Sequence, residues 1–409
     1  MDKAKPLGPI PPGFTKIDGE LAIGRRRASD LAAAGTPLFV YSRAMIEARV
    51  AKLRAVVPER IRIHYAIKAN SFAPLLQAMC ELVDGLDVAS GGELAMARAA
   101  GADPARISFA GPGKRDEELR AAIEAGVTLN LESEHEARRA RAIAERVGQT
   151  PRLAIRVNPD FDLRGSGMKM GGGARPFGVD AERVAALARE IIAAGCEWRG
   201  LHIFAGSQAL DAEAVIAAQA ATLDLAERLA GEIGAPLPAL NLGGGFGIPY
   251  FPGDEPLDID RVGAALAERC ADLAETLADT ELAIELGRWL VGEAGVYLTR
   301  IVDRKESRGE VFLVTDGGLH HQLAATGNFG TVVRRNYPLA IASHFAAEAT
   351  EVASVVGCLC TPLDRLAERA AFPRAEAGDL VAVFCAGAYG ASASPAAFLG
   401  HGPATEILV

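Results

Sequence analysis

A lysine at the end of an apolar run introduces the chemistry of this 409-residue chain. In "IRIHYAIKAN" the run 61–67 reads as a buried strand, and Lys68 stands where it ends. A buried ammonium is costly unless its charge is paired or consumed. Other reactive groups sit at comparable strand ends: Asp87 in "GLDVAS", Arg156 in "RLAIRVN", His202 in "GLHIFAG" and Glu285 in "ELAIEL". Gly243, Gly244 and Gly245 form a glycine run, and Arg288 lies just beyond Glu285. An amine, a carboxylate, a flat imidazole and a glycine loop suit an anionic aromatic aldehyde. The amine binds the aldehyde covalently, the backbone N–H groups of a glycine run approach a phosphate, and the carboxylate keeps a ring nitrogen protonated. Pyridoxal 5'-phosphate meets each requirement.

The elements that must position these groups follow a rhythm. Eight β-rich runs (61–67, 85–90, 106–111, 126–133, 152–158, 200–206, 239–245 and 281–286) alternate with helical patterns. Ser90 and Ser133, each three residues before a glutamate, read as helix N-caps. This order predicts an α/β fold, a (β/α)8 barrel over residues 37–289, with chemistry at the C-terminal ends of the strands. After residue 290 the pattern turns to strands joined by polar turns, as in "GEVFLVTDGG" and "GDLVAVFCAGAYG". Residues 1–36 and 290–409 are therefore expected to form a second, mainly β domain.

Composition removes other function classes. The net charge of −9 is spread without basic blocks, against a nucleic-acid partner. No apolar run reaches the roughly 18 residues of a membrane span, and "MDKAKPLGPIPPGF" does not read as a signal peptide. The six cysteines lack framework spacing, so a reducing cytoplasm is expected.

With these motifs in order, the chain resembles the fold-type III pyridoxal-phosphate decarboxylases, the ornithine and diaminopimelate decarboxylase family, over nearly its whole length. "YAIKAN" is similar to the family's cofactor-lysine motif, "DVASGGEL" to its second-strand motif, and "GGGFG" to its phosphate loop. "ELGR" (285–288) stands where the family has E-P-G-R, which implies Glu285 at the ring nitrogen beside Gly287, and Arg288 at the phosphate or the substrate carboxylate. "GCLC" (357–360) resembles G-P-x-C, whose cysteine the family supplies across a dimer interface as proton donor, so Cys360 is the expected donor of a homodimer with shared sites. "AGAYG" carries Tyr389 to the phosphate. The resemblance also implies an alanine-racemase-like barrel.

Departures from the family pattern bear on the substrate. "HIFAGSQ" (202–208) is two residues longer than the usual H-x-G-S-Q, which leaves the placing of Ser207 open. Thr361 follows the cysteine where family members grip a distal ammonium with an acid. Counting from Asp316 of "DGG", Ala324 and Asn328 replace the arginine and tyrosine that hold the tail of diaminopimelate. The cofactor set is thus intact, and Asp316, Arg288 and Thr361 remain as substrate positions. "CTPLDRL" (360–366) and "HIFAGSQ" together resemble the carrier-protein-linked glutamyl and exosortase-associated branch, which implies a modified or carrier-tethered amino-acid tail. Diaminopimelate decarboxylation is the alternative within the class. A racemase would pair the ring nitrogen with arginine, and a single-barrel cofactor-binding protein would lack the C-terminal β segment. "GSGMKMGGG" (165–173) reads as a loop closing over the site. His320 and His321 lack spaced cysteine or carboxylate partners, so no metal is expected.

Overall fold

The computed structural model describes residues 4–163, 168–169, 171–327 and 334–409. Asn328 and most of the stretch 165–170 lie outside the described residues. The chain divides into two compact units, residues 50–248 with 256–287, and residues 1–49 with 249–255 and 288–409.

The first unit is a closed barrel of eight parallel strands. They are β1 (Ile61–Ala66), β2 (Gly85–Val88), β3 (Ile107–Phe109), β4 (Thr128–Leu131), β5 (Arg152–Asn158), β6 (Glu197–Ile203), β7 (Ala239–Gly244) and β8 (Glu281–Leu286). Each pairs with the next in sequence, and β8 returns to β1 with Leu282 opposite Ile61 and Leu286 opposite Tyr65. Period-two alternation does the positioning. Ile61, Ile63 and Tyr65 of β1 are fully buried, each side chain worth about 1.5–3 kcal/mol of burial. The alternate residues Arg62 and His64 join Ser108, Thr128, Asn130 and Asn241 in lining a cavity of about 230 Å³.

The serine caps expected from the sequence are present. Ser90 Oγ accepts the Glu93 N–H at 3.1 Å to start the helix Gly91–Ala99, and Ser133 Oγ accepts the Glu136 N–H at 3.1 Å to start Glu134–Val147. Capping of this kind satisfies amide groups that have no intrahelical partner.

The second unit is built on a long strand, β9 (Gly295–Ser307). It pairs with β10 (Glu310–Thr315), with β14 (Leu380–Val383) and with Leu38–Tyr41, which in turn carries the terminal strand Thr405–Leu408. Further strands of this unit are β11 (Leu339–Ile341), β12 (Glu351–Val356) and β13 (Arg365–Phe372), besides a small N-terminal sheet of Thr15–Ile17, Glu20–Ile23 and Arg26–Arg27. Leu38–Tyr41 is entirely buried and hydrogen-bonds to β9, so the boundary falls at 49/50 and not at 36/37. Leu21 and Ile23 enter the same core as Leu38, Val296, Leu298 and Phe384, which ties the N-terminal residues to this unit. Among the described residues no helix is long and apolar enough to cross a membrane.

Candidate active site

The turn that follows β1 presents Lys68. Ile67 and Ala69 on either side of it are buried, while the lysine side chain is 46% exposed. The expectation of a buried ammonium is therefore corrected: the lysine side chain is half-exposed at the strand end. Tyr65 holds the turn by donating its hydroxyl to the Asn70 carbonyl at 2.8 Å, so the residues flanking the lysine in "YAIKAN" act as its scaffold. Lys68 Nζ lies 3.7 Å from Glu285 Oε1 and 5.3 Å from the ring centre of Phe204. Phe204 belongs to the two-residue extension of "HIFAGSQ".

Glu285 lies near the end of β8, in register with Gly244 of β7 and His64 of β1. Its other oxygen, Oε2, accepts a hydrogen bond from His202 Nε2 at 2.9 Å, and both side chains are buried. Burial alone raises a carboxyl pKa. The His202 hydrogen bond and the charges of Lys68 and Arg156 outweigh it and hold Glu285 well below the usual carboxylate range. His202 Nδ1 is buried and has no hydrogen-bond partner among the described residues. The two residues read separately from the sequence thus form one pair.

Asp87 and Arg156 do not pair with each other. Arg156 on β5 donates to Glu132 Oε1 at 2.9 Å at the end of the adjacent strand β4, and its guanidinium sits 5.0 Å from the Phe177 ring centre. Asp87, on β2, lies 3.4 Å from His64 Nδ1 on neighbouring β1. Burial works against the charged imidazole of His64, but the Asp87 and Glu285 charges raise its pKa overall. Barrel order explains the exchange, because β2 and β5 are not neighbours.

Sequence reasoning missed two residues here. Glu132 accepts the Gly111 and Gly178 N–H groups at 2.6 and 2.7 Å as well as Arg156. Its place at the end of the fourth run, "TLNLES", was the available signal. Lys114 carries an ammonium that is buried, and it is satisfied by Glu136 at 2.6 Å and by the Gly111 and Asn130 carbonyls at 2.8 and 2.9 Å.

The glycine run closes β7 tightly. A side chain on Gly243 would approach the Ile203 carbonyl oxygen to 2.6 Å, and one on Gly244 or Gly245 would overlap the carbonyl of Glu285 or Gly206. The segment after β6 straps the run in place: Ala209 N–H donates to Gly245 O at 2.9 Å and Gln208 Nε2 to Ile248 O at 2.7 Å. Ser207, half-buried, lies in that strap, in the short strand Gly206–Ser207. Gly287 leaves room for Ala69, because a methyl there would stand 2.8 Å from Ala69 Cβ.

The second unit holds the other expected residues. Arg288 donates to the Tyr250 hydroxyl at 2.9 Å and lies 4.8 Å from the ring centre of Tyr389. Its Nε is buried without a partner among the described residues. Cys360 is exposed. Thr361 shapes its own turn, with Oγ1 accepting the Leu363 N–H at 3.3 Å. Asp316, expected at the substrate, accepts from Thr299 Oγ1 at 2.6 Å, from the Arg300 N–H at 2.9 Å and from Thr36 Oγ1. Those contacts make it a residue that fixes its turn.

The barrel residues fit pyridoxal phosphate on their own geometry. A half-exposed amine after β1, a glycine run closed to side chains at the end of β7 and, near the end of β6, an imidazole whose buried nitrogen has no partner among the described residues belong to this one barrel. The family model described as "Pyridoxal-dependent decarboxylase, pyridoxal binding domain" matches residues 43–292. The chain is 36% identical to the L-glutamyl-[BtrI acyl-carrier protein] decarboxylase of Niallia circulans, over 91% of this chain and 88% of that protein. It is 34% identical to the diaminopimelate decarboxylase of Aquifex aeolicus, over 91% and 87%. The crystal structure of diaminopimelate decarboxylase from M. jannaschi superposes with a TM-score of 0.85 at 26% identity, covering 97% of this chain and 92% of that one.

Proposed function

The chain belongs to the family of pyridoxal-dependent decarboxylases, and from that premise we propose that it removes the α-carboxyl group of an amino-acid unit whose tail is modified or tethered to a carrier protein. It is a carboxy-lyase with pyridoxal phosphate as its cofactor. When bound, the cofactor supplies the aldehyde and the electron-withdrawing ring that takes the electron pair left by departing carbon dioxide.

In this reading Lys68 anchors the aldehyde, and Gly243, Gly244, Gly245, Ser207, Arg288 and Tyr389 bind the phosphate. Glu285 would hold negative charge toward the ring nitrogen, and His202 would pack on the ring face while it orients Glu285. Asp87, Arg156 and Gly287 shape the barrel mouth. In the same reading the enzyme is a cytoplasmic homodimer with shared sites, in which Cys360, contributed by a second copy of the chain, would return a proton to the α-carbon.

The observation that carries the substrate reading is the tail chemistry. Thr361 stands where the family uses an acid, and Ala324 where it uses an arginine. A distal ammonium would lose hydration without an ionic partner, a cost of several kcal/mol by general estimates, about 3–5. The Niallia relative, named for a glutamyl group on a carrier protein, supports a tethered tail. Diaminopimelate decarboxylation is the second reading, and Arg334 favours it: its guanidinium reaches the Leu363 and Arg365 carbonyls at 3.4 Å, just beyond Thr361, where a tail carboxylate would find a cation. The test is kcat/KM for a glutamyl carrier-protein thioester, meso-diaminopimelate, ornithine and lysine. The thioester is expected to lead, and a value for diaminopimelate of about 10⁴ M⁻¹s⁻¹ or above would replace the first reading with the second.

A further inference from the structure

Spacing in the sequence gives His320 and His321 no third ligand, but folding of the second unit does. We infer that His320, Cys358 and His401 form a binding site for a divalent transition-metal ion, with zinc the best-matched member. The site uses residues that the decarboxylase reading leaves idle, and it stands or falls without that reading.

The three ligand atoms, one from each residue, lie within 4.8 Å of one another. Cys358 Sγ and His401 Nε2 are 3.9 Å apart, and the His320 and His401 ring centres are 4.5 Å apart. With Zn–N near 2.0–2.1 Å and Zn–S near 2.3 Å, tetrahedral ligand atoms sit about 3.3–3.6 Å from each other. Closing the difference takes at most about 1.5 Å, shared between two side chains. Two imidazoles and a thiol form a donor set that favours zinc over magnesium or calcium. Three protein ligands leave a fourth position for water or a carboxylate oxygen.

Two further observations separate a built site from a chance meeting. His320 is fully buried, yet neither ring nitrogen has a hydrogen-bond partner among the described residues. A buried polar ring without partners is unfavourable, and an ion bound at one nitrogen removes part of that cost. The ligands are also held from behind. Asp364 accepts the N–H of Leu319 at 2.6 Å and of Leu359 at 2.9 Å, so one carboxylate pins the residues adjoining His320 and Cys358. His321 donates from Nε2 to the Gly402 carbonyl at 2.9 Å, next to His401, while its Nδ1 lies 3.1 Å from the Tyr297 hydroxyl. Outer groups that fix ligand direction are characteristic of metal sites. The Cys358 thiol now points to the Asp316 carbonyl at 3.5 Å, a weak contact that a metal would replace.

The test uses the full-length holoenzyme and zinc itself, read by elemental analysis after dialysis against a competing chelator. One zinc per chain is expected. His320→Ala, Cys358→Ser and His401→Ala should each weaken it by more than the roughly 10–100-fold that outer-shell changes produce. Melting curves recorded without metal identify any variant that fails to fold. In the cobalt-loaded holoenzyme, measured as a difference spectrum against the metal-free protein, a thiolate charge-transfer band should vanish in Cys358→Ser and persist in Cys360→Ala. Wild-type protein that holds no zinc, equal zinc affinity in folded Cys358→Ser, or a band lost only in Cys360→Ala would each overturn the site.

Discussion

His202 donates a 2.9 Å hydrogen bond from Nε2 to Glu285 Oε2, and the two side chains are buried together between β6 and β8. The pair links the residue assigned to the ring face with the residue assigned to the ring nitrogen. Glu285→Gln keeps the volume and removes the charge. The expected outcome is a fall in kcat of about 100-fold or more, in the range of lost electrostatic stabilisation, with the far-ultraviolet spectrum unchanged. Unaltered kcat would end the role assigned to Glu285.

The same carboxylate sets an acid limit on stability. Its pKa is lowered in the folded chain, with burial opposed by the His202 hydrogen bond and the Lys68 charge. The unfolded state therefore binds the proton more readily, and the stabilisation is present above the unfolded pKa, near 4.3. It is lost as pH falls toward the folded pKa. Denaturant titrations at pH 7 and at successively lower pH below about 4.5 should show a steeper decline for wild type than for Glu285→Gln. Parallel declines would mean that the carboxyl is not depressed.

Lys68→Ala should yield protein without covalently held cofactor. Borohydride treatment followed by peptide mass analysis should place the pyridoxyl mass on Lys68 in wild type and on no residue in the variant. A modified peptide elsewhere would move the anchor.

Much of this site was legible because strand ends are local features. The eight runs, the serine caps and the order of Lys68, His202, Gly243–Gly245 and Glu285 follow from periodicity and turn chemistry, which act over a few residues. Pairings across strands were not legible. Arg156 meets Glu132 and Asp87 meets His64 because of barrel order and register, which no spacing along the chain encodes. Leu38–Tyr41 reads as the opening of the barrel until its partners, more than 250 residues later, are known. Cys358 and His401 reach His320 by the same long-range folding.

Lys114 tests the cost of a buried charge directly. Its ammonium is matched by Glu136 and two carbonyls. Lys114→Met keeps most of the volume and strands the Glu136 carboxylate, a loss expected to be about 3–5 kcal/mol. Urea unfolding should show that loss, and adding Glu136→Gln should recover part of it, since the stranded charge is then gone. No recovery in the double variant would assign the loss to packing instead.

The shared-site dimer is tested by complementation. Lys68→Ala and Cys360→Ala proteins are each expected to be inactive, one lacking the anchor and the other the proton donor. In a two-fold dimer whose sites take one residue from each copy, every heterodimer contains one site with both native residues and one with neither. Random exchange makes about half of the dimers mixed, so activity should return to about a quarter of the wild-type level. Exchange is verified by mass spectrometry of the intact dimers. If mixed dimers form and remain inactive, Cys360 acts within its own chain or not at all, and the dimer has no part in completing the site.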